Sequence, residues 1–121
     1  MRLKDKIAVI TGSSRGIGRA IAERLAREGV LVAIHYGRNA EGAADTVRTI
    51  EGANGHAFAI QADLAVPEQI RQLFDQLDTA LRQRTGGNRF DILVNNAAAP
   101  GWVTGQYIEA SGGYGLVEVL R

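Results

Sequence analysis

Between an apolar run ending at Ile10 and a helical pattern that begins near Ile17, the chain reads Val9-Ile10-Thr11-Gly12-Ser13-Ser14-Arg15-Gly16-Ile17-Gly18. A strand that turns this sharply into a helix brings bare backbone and a helix N-terminus together, which is how a dinucleotide-binding βα turn accommodates a pyrophosphate. The plainer alternative is a tight turn that only packs a helix onto a sheet. Either way the chain must build strand–helix units, and the sequence continues in that pattern. Ile17, Ala20, Ile21 and Leu25 fall at helical spacing up to Gly29, and Val30 to Ile34 is a second β-branched run. Ala43, Ala44, Val47 and Ile50 suit another helix, with Gly52 and Gly55 as breakers before the apolar Ala57 to Ile60. Pro67 fits the first turn of a third helix carrying Ile70, Leu73, Phe74, Leu77 and Leu81 as a core-facing stripe; Gly86-Gly87 end it, and Phe90 to Val94 is a fourth strand. Near-continuous apolar strands alternating with helices predict an α/β fold: a Rossmann-like parallel sheet with helices on both faces.

Beyond Val94 the alternation stops. The stretch from Asn95 to Gly105 holds Pro100 and several small residues, and only Gln106 to Ile108 suggests another short strand before the glycines at 112, 113 and 115. The expected architecture is therefore a truncated one, with about four parallel strands and a short C-terminal strand. Residues 1–98 form a nucleotide-binding half, and 99–121 a C-terminal strand and tail. Strand four is then an exposed sheet edge unless the C-terminal strand or a second subunit pairs with it, so homo-oligomerisation through that edge is expected.

Bulk properties narrow the function classes. At 121 residues and 45% hydrophobic content the chain supports one domain with a real core. A net charge of +1, its basic and acidic residues interspersed, leaves no footprint for nucleic acid or an anionic membrane, and no apolar run is long enough to span a bilayer. With no cysteine there are no disulfides, thiolate metal sites or Cys nucleophiles. Met1 to Lys6 leads into a strand without a signal-peptide core, so the expected compartment is the cytoplasm. His35 and His56 lack a carboxylate or Cys cluster at metal spacing; they read as a pocket-edge residue and a surface-loop residue, and no metal is assigned.

Three ordered motifs carry a resemblance. Thr11-Gly12-x-x-x-Gly16-x-Gly18, then Asp63-Leu64 after strand three, then Asp91-Ile92-Leu93-Val94-Asn95-Asn96-Ala97-Ala98 along strand four together resemble the short-chain dehydrogenase/reductase family, in particular its 3-oxoacyl-carrier-protein reductase-like members. Ala98 stands where the family usually has Gly. Trp102 to Gly113 looks like the same family's C-terminal strand and tail, which in full-length members follows a long stretch with no counterpart here. The join lies around Ala98 to Trp102, where Ala99-Pro100-Gly101 is either a remnant of the family's Pro-Gly motif or a linker. The resemblance implies an oxidoreductase moving hydride between nicotinamide C4 and a carbonyl carbon. It also implies that the family's catalytic Ser and Tyr-x-x-x-Lys pair have no counterpart. Lys4 and Lys6 are the only lysines, Tyr107 is followed four positions on by Ser111, and Tyr114 by Glu118. No catalytic residue is assigned, and hydride transfer by this chain is expected to be severely impaired. A non-catalytic nucleotide-binding or interaction module is the alternative.

The same resemblance assigns cofactor contacts. Gly12, Gly16 and Gly18 admit the pyrophosphate, with Ser14 and Ile17 lining the loop. At the end of strand two, where NAD-preferring relatives carry an acid for the ribose hydroxyls, stands Tyr36. Arg38, with Arg15, can make charge-assisted hydrogen bonds to a 2′-phosphate, so NADP(H) is favoured over NAD(H); the alternative is that both arginines are solvated surface charges. Asp63 accepts from the adenine amino group beside the Leu64 backbone, the alternative being a turn or cap role near Pro67. Asn95 and Ala97 border the cofactor ribose, while the Asn95-Asn96 region also secures the sheet by side-chain to backbone bonds. The substrate is not readable, because the segments that line the family's substrate pocket have no counterpart.

Overall fold

A computed structural model describes residues 3–97 and the backbone of residues 115–118. Strands β1 (Ile7–Ile10), β2 (Leu31–Tyr36), β3 (His56–Gln61), β4 (Ile92–Asn95) and β5 (Gly115–Glu118) form one parallel sheet in the order β3-β2-β1-β4-β5. Helices α1 (Gly16–Arg27), α2 (Ala40–Gly52) and α3 (Pro67–Thr85) alternate with the first four strands. The chain thus winds outward from β1 to β3, then crosses back to set β4 on β1's other side. That reversal is the switch point at which open parallel sheets leave a crevice beyond their carboxyl ends.

Period-two alternation splits the core into two layers. Ala8, Ile10, Val32, Ile34, Ala57, Ile92 and Val94 pack with Ala22, Ala26, Ala43 and Ile50 of α1 and α2. Val9, Ala33, Phe58, Ile60 and Leu93 pack with Leu73, Leu77 and Leu81 of α3, against which Ile70 and Phe74 also rest. The α3 stripe is core, as its spacing predicts. The α1 stripe is not the one expected. Its buried residues are the small Gly18, Ala22 and Ala26, whereas Ile17 is 62% exposed and Ala20 lies at the surface. A helix seated closely on the sheet turns its smallest side chains inward, and the larger Ile21 and Leu25 fill its flanks. In α2 likewise Thr46 is buried and Ala44 exposed.

Boundaries shift modestly from expectation. β2 extends to Tyr36 and β3 runs from His56 to Gln61, because the β2–β3 ladder pairs every residue from Leu31 with His56 to Tyr36 with Gln61. His56 is therefore an exposed strand residue and not a loop residue. On the far side of β4, β5 pairs Ile92 with Gly115 through Asn95 with Glu118, so the edge from which self-association was expected is occupied by this chain's own C-terminal strand. The expected strand at Gln106 to Ile108, the join at Ala98 to Trp102, and Tyr107 and Tyr114 lie outside the described residues. Among the described residues no helix is long and apolar enough to cross a membrane.

Local signals set the helix ends. Asn39 caps α2 by accepting from the Gly42 N–H at 3.1 Å, Pro67 starts α3, and Gly86 ends it at φ +83°. Arg19 ties α1 to α2 across the surface, bonding Glu23, Asp45 and Thr49 at 2.7, 2.8 and 3.2 Å. Its guanidinium holds the Asp45 carboxyl below the usual carboxylate range.

Candidate functional site

A cleft of about 720 Å³ opens where four loops leave the carboxyl ends of β1, β2, β3 and β4. Its lining comes from Gly12, Ser14, Arg15, Gly16 and Ile17 after β1, and from His35, Gly37, Arg38 and Asn39 at and after the end of β2. Ala62, Asp63 and Leu64 follow β3, and Asn96 and Ala97 follow β4. Of the residues expected at a cofactor, Gly18, Tyr36 and Asn95 stand outside this lining. Gly18 is buried within α1, and a Cβ built there would meet Asn96 Nδ2 and the Gly12 carbonyl oxygen, both at 2.4 Å, so its place is a close packing contact beneath the cleft. Tyr36 shares the strand face of Val32 and Ile34 and packs against the α1/α2 layer. Asn95 closes β4, buried on the Leu93 side.

The glycine loop owes its path to specific anchors. Gly12 and Gly16 sit at φ +65° and +64°, the left-handed region that a side chain disfavours. Ser13, fully buried, donates its hydroxyl to Ile10 O at 2.7 Å and accepts from the His35 N–H at 3.1 Å. Thr11 Oγ1 accepts from the backbone N–H groups of Asn96 and Ala97, each at 2.9 Å. Asn96 Nδ2 then donates to Gly12 O at 3.1 Å, so the loop after β4 and the loop after β1 are joined at three points. Asn96 thus plays the side-chain to backbone role expected of this pair.

The loop delivers α1 in an unusual electrostatic state. Its N-cap, Arg15, makes no side-chain cap bond, and its first turn holds no acidic residue. The first-turn N–H groups of a helix have no intrahelical acceptor, and the helix dipole adds positive potential there. Gly16 and Ile17 present this end to the cleft. Arg15 and Arg38 are exposed on the same cleft, and neither forms an ion pair among the described residues. The charged side chains of the lining are these two arginines and Asp63. Asp63 Oδ1 accepts from the Ala65 N–H at 3.0 Å and its carbonyl accepts from Val66 N at 3.1 Å, which is the turn role, while its N–H donates to Gln69 Oε1 at 2.7 Å. The turn holds this residue in the wall opposite the glycine loop.

Below the surface lies a contact that sequence reasoning did not specify. His35, 3% exposed, accepts the Gly12 N–H at Nδ1 (3.0 Å), and its Nε2 meets Ala62 O at 2.9 Å. A backbone N–H can only donate and a carbonyl only accept, so the ring is neutral with its proton on Nε2. Burial pushes its pKa below the usual histidine value, and the bond to Ala62 offsets this in part. Asn39 and Ala62 were also not anticipated. Asn39 carried a readable helix-cap signal, whereas Ala62 acts through its backbone and carries none. Among the described residues no group of His, Asp or Glu is arranged to hold a metal.

Residues 6–111 match the family model described as short chain dehydrogenase. The chain is 46% identical over 96 residues to a 1-cyclohexenylcarbonyl-CoA reductase of Streptomyces collinus, covering 79% of this chain and 32% of the relative. It is 40% identical over 98 residues to the short-chain dehydrogenase/reductase homolog YusS of Bacillus subtilis, covering 81% of this chain and 84% of that protein. Among solved structures it is similar to the landomycin C-6 ketoreductase LanV with bound NADP and rabelomycin, with TM-score 0.77 and 48% identity over 86% of this chain and 44% of that one. The chain spans about a third of the length of the reductase and of several other curated relatives it matches. With a family model matched over most of its length and a relative at 40% identity covered to 84%, the chain belongs to the short-chain dehydrogenase family.

Proposed function

We propose that the cleft takes the adenosine and diphosphate end of NADP(H). The observation that carries this is the α1 N-terminus: a helix start with no side-chain cap and no acid, reached by a glycine loop, opening into a cleft with two arginines that form no ion pair among the described residues. Bound there, a diphosphate meets the N–H groups of the first turn near Gly16 and Ile17. Arg38 and Arg15 bond the 2′-phosphate, the site lacking at the end of β2 the carboxylate that selects ribose hydroxyls. Asp63 and Leu64 receive the adenine, and Ala97, with Asn95 behind it, borders the ribose. Ser14 and Gly12 complete the loop. The donor set fits an anionic dinucleotide, and the cleft volume suits one end of such a ligand.

When bound, the nicotinamide supplies hydride chemistry. What this chain's own residues contribute is binding and orientation. Proton transfer needs a donor of tuned pKa, and the family's Tyr-x-x-x-Lys pair has no counterpart: Tyr36 is followed four positions on by Ala40, Tyr107 by Ser111 and Tyr114 by Glu118. Lys4 and Lys6 both precede β1, on the side of the sheet away from the cleft. We therefore propose a nucleotide-holding module of oxidoreductase lineage, with carbonyl reduction by the chain alone severely impaired.

The test is the NADPH-to-NADH preference of the chain and of Arg38→Ala, followed by nucleotide fluorescence. One charge-assisted hydrogen bond from an exposed arginine, discounted for solvent, is worth about 1 kcal/mol, or roughly fivefold in affinity. The variant is expected to lose that factor for NADPH and keep its NADH affinity. Equal losses for both nucleotides would refute the 2′-phosphate role.

A further inference from the structure

The cleft is floored by one side chain that bridges two of its walls. His35 takes the Gly12 N–H at Nδ1 and gives its own proton to Ala62 O, at 3.0 and 2.9 Å. Gly12 belongs to the glycine loop after β1, and Ala62 begins the segment after β3 that carries Asp63 and Leu64. Its backbone is held from the same loop, because Ser13 N–H donates to His35 O at 3.0 Å while Ser13 Oγ accepts from His35 N at 3.1 Å. The strand end, the phosphate loop and the adenine wall therefore meet at a single imidazole.

We infer that His35 is the positioning residue of the nucleotide cleft, and that only its neutral ring sets the two walls at the separation a dinucleotide needs. This rests on the nucleotide reading of the cleft. The chemistry is one-sided. A protonated ring turns Nδ1 into a donor, so two N–H groups face each other at the Gly12 contact, and the glycine loop must withdraw or the ring must leave its slot. The bond to Ala62 survives protonation, so the disturbance falls on the phosphate side. The charged groups that line the cleft around the ring are Arg15 on the glycine loop, Arg38 after β2 and Asp63 after β3; the loop after β4 contributes Asn96 and Ala97, which carry no charge. The arginines oppose a charged ring and Asp63 favours one. Burial adds to the opposition, which leaves the neutral form in place near neutral pH.

The consequence is nucleotide affinity that falls in acid for a reason located in the protein. If only the neutral ring is competent, the apparent dissociation constant rises by up to about tenfold per pH unit below the ring's own pKa. The ligand's phosphates also titrate near pH 6, so the comparison is with His35→Gln, whose amide offers one acceptor and one donor and does not ionise. NADP⁺, the acid-stable form, is titrated by calorimetry into both proteins from about pH 8 to about pH 5. The expected result is that wild-type affinity falls more steeply with acid than that of the variant. A ratio of the two dissociation constants that stays constant over this range overturns the inference. A second measurement needs neither variant nor ligand: in the free wild-type chain, the Gly12 amide NMR signal must shift along the same titration curve as the His35 imidazole, and a Gly12 amide indifferent to that titration also overturns it. Absence of NADP⁺ binding at about pH 8 while Gly12 still follows His35 would refute the nucleotide reading and leave the coupling between His35 and the loop standing.

Discussion

Replacing Gly18 by Ala tests how rigidly the cleft floor is built. In an open helix the change is favourable by up to about 1 kcal/mol, because alanine loses less backbone freedom than glycine. Here the new Cβ arrives 2.4 Å from the Gly12 carbonyl oxygen and 2.4 Å from Asn96 Nδ2, with Gly12 C at 3.0 Å. Ordinary contact requires displacements of about 1 Å, and both near atoms belong to one hydrogen bond, Asn96 Nδ2 to Gly12 O at 3.1 Å. Overpacking of this kind costs about 1–3 kcal/mol, and weakening the bond adds about 1. Set against the helix gain, the net loss is about 1–3 kcal/mol. Gly52→Ala supplies the control, since that position, last in α2, meets nothing within 4 Å and its φ lies outside the left-handed region. Urea denaturation should show a lower midpoint for Gly18→Ala and an unchanged or higher one for Gly52→Ala. Only the former should weaken nucleotide binding, through the displaced Gly12. A Gly18→Ala protein as stable as wild type would show that the contact between α1 and the loop after β4 yields freely, and would refute the reasoning.

Further outcomes follow from the core and the buried histidine. Leu81, fully buried in the α3 layer, should cost about 2–5 kcal/mol on change to Ala, read by urea denaturation, while NADP⁺ affinity of the folded protein stays within about twofold, because the cleft lies at the other end of the strands. A large change in affinity at full folding would mean that the α3 layer reaches the site. For pH, the His35 pKa is lowered on folding, so the unfolded chain binds the extra proton first. The stability from its neutral ring is complete above about pH 6.5 and is lost as pH falls from there toward the folded-state pKa. Urea midpoints measured against pH should therefore decline more steeply in wild type than in His35→Gln, and parallel declines would remove His35 as their cause.

The sequence made the frame readable because its signals were local. Gly12 and Gly16 between an apolar strand and a helix, Pro67 before the α3 stripe and Gly86 after it each act through their own backbone conformation, and each stands at the element boundary expected of it. Expectation failed where tertiary packing decided the outcome. Ile17 and Ala20 looked like the inner face of α1, but the sheet admits only Gly18, Ala22 and Ala26 at close range. Tyr36 was placed beside the ribose from its position in the motif, yet strand alternation puts its ring with Ile34 against α2's layer and turns His35 toward the cleft instead. The role of His35 was hidden for a further reason. Its partners are a backbone N–H and a backbone carbonyl separated from it by 23 and 27 positions, and neither Gly12 nor Ala62 advertises such a bond.

The most direct measurement is calorimetric titration of NADP⁺, with NAD⁺ alongside, into the purified chain at about pH 8, where His35 is neutral. Saturable one-to-one binding of NADP⁺, tighter than that of NAD⁺, is the result predicted from the uncapped α1 terminus and the two cleft arginines, Arg15 and Arg38. Absence of binding by either nucleotide, in a chain shown to be folded, would contradict the central claim and leave the glycine loop a structural turn only.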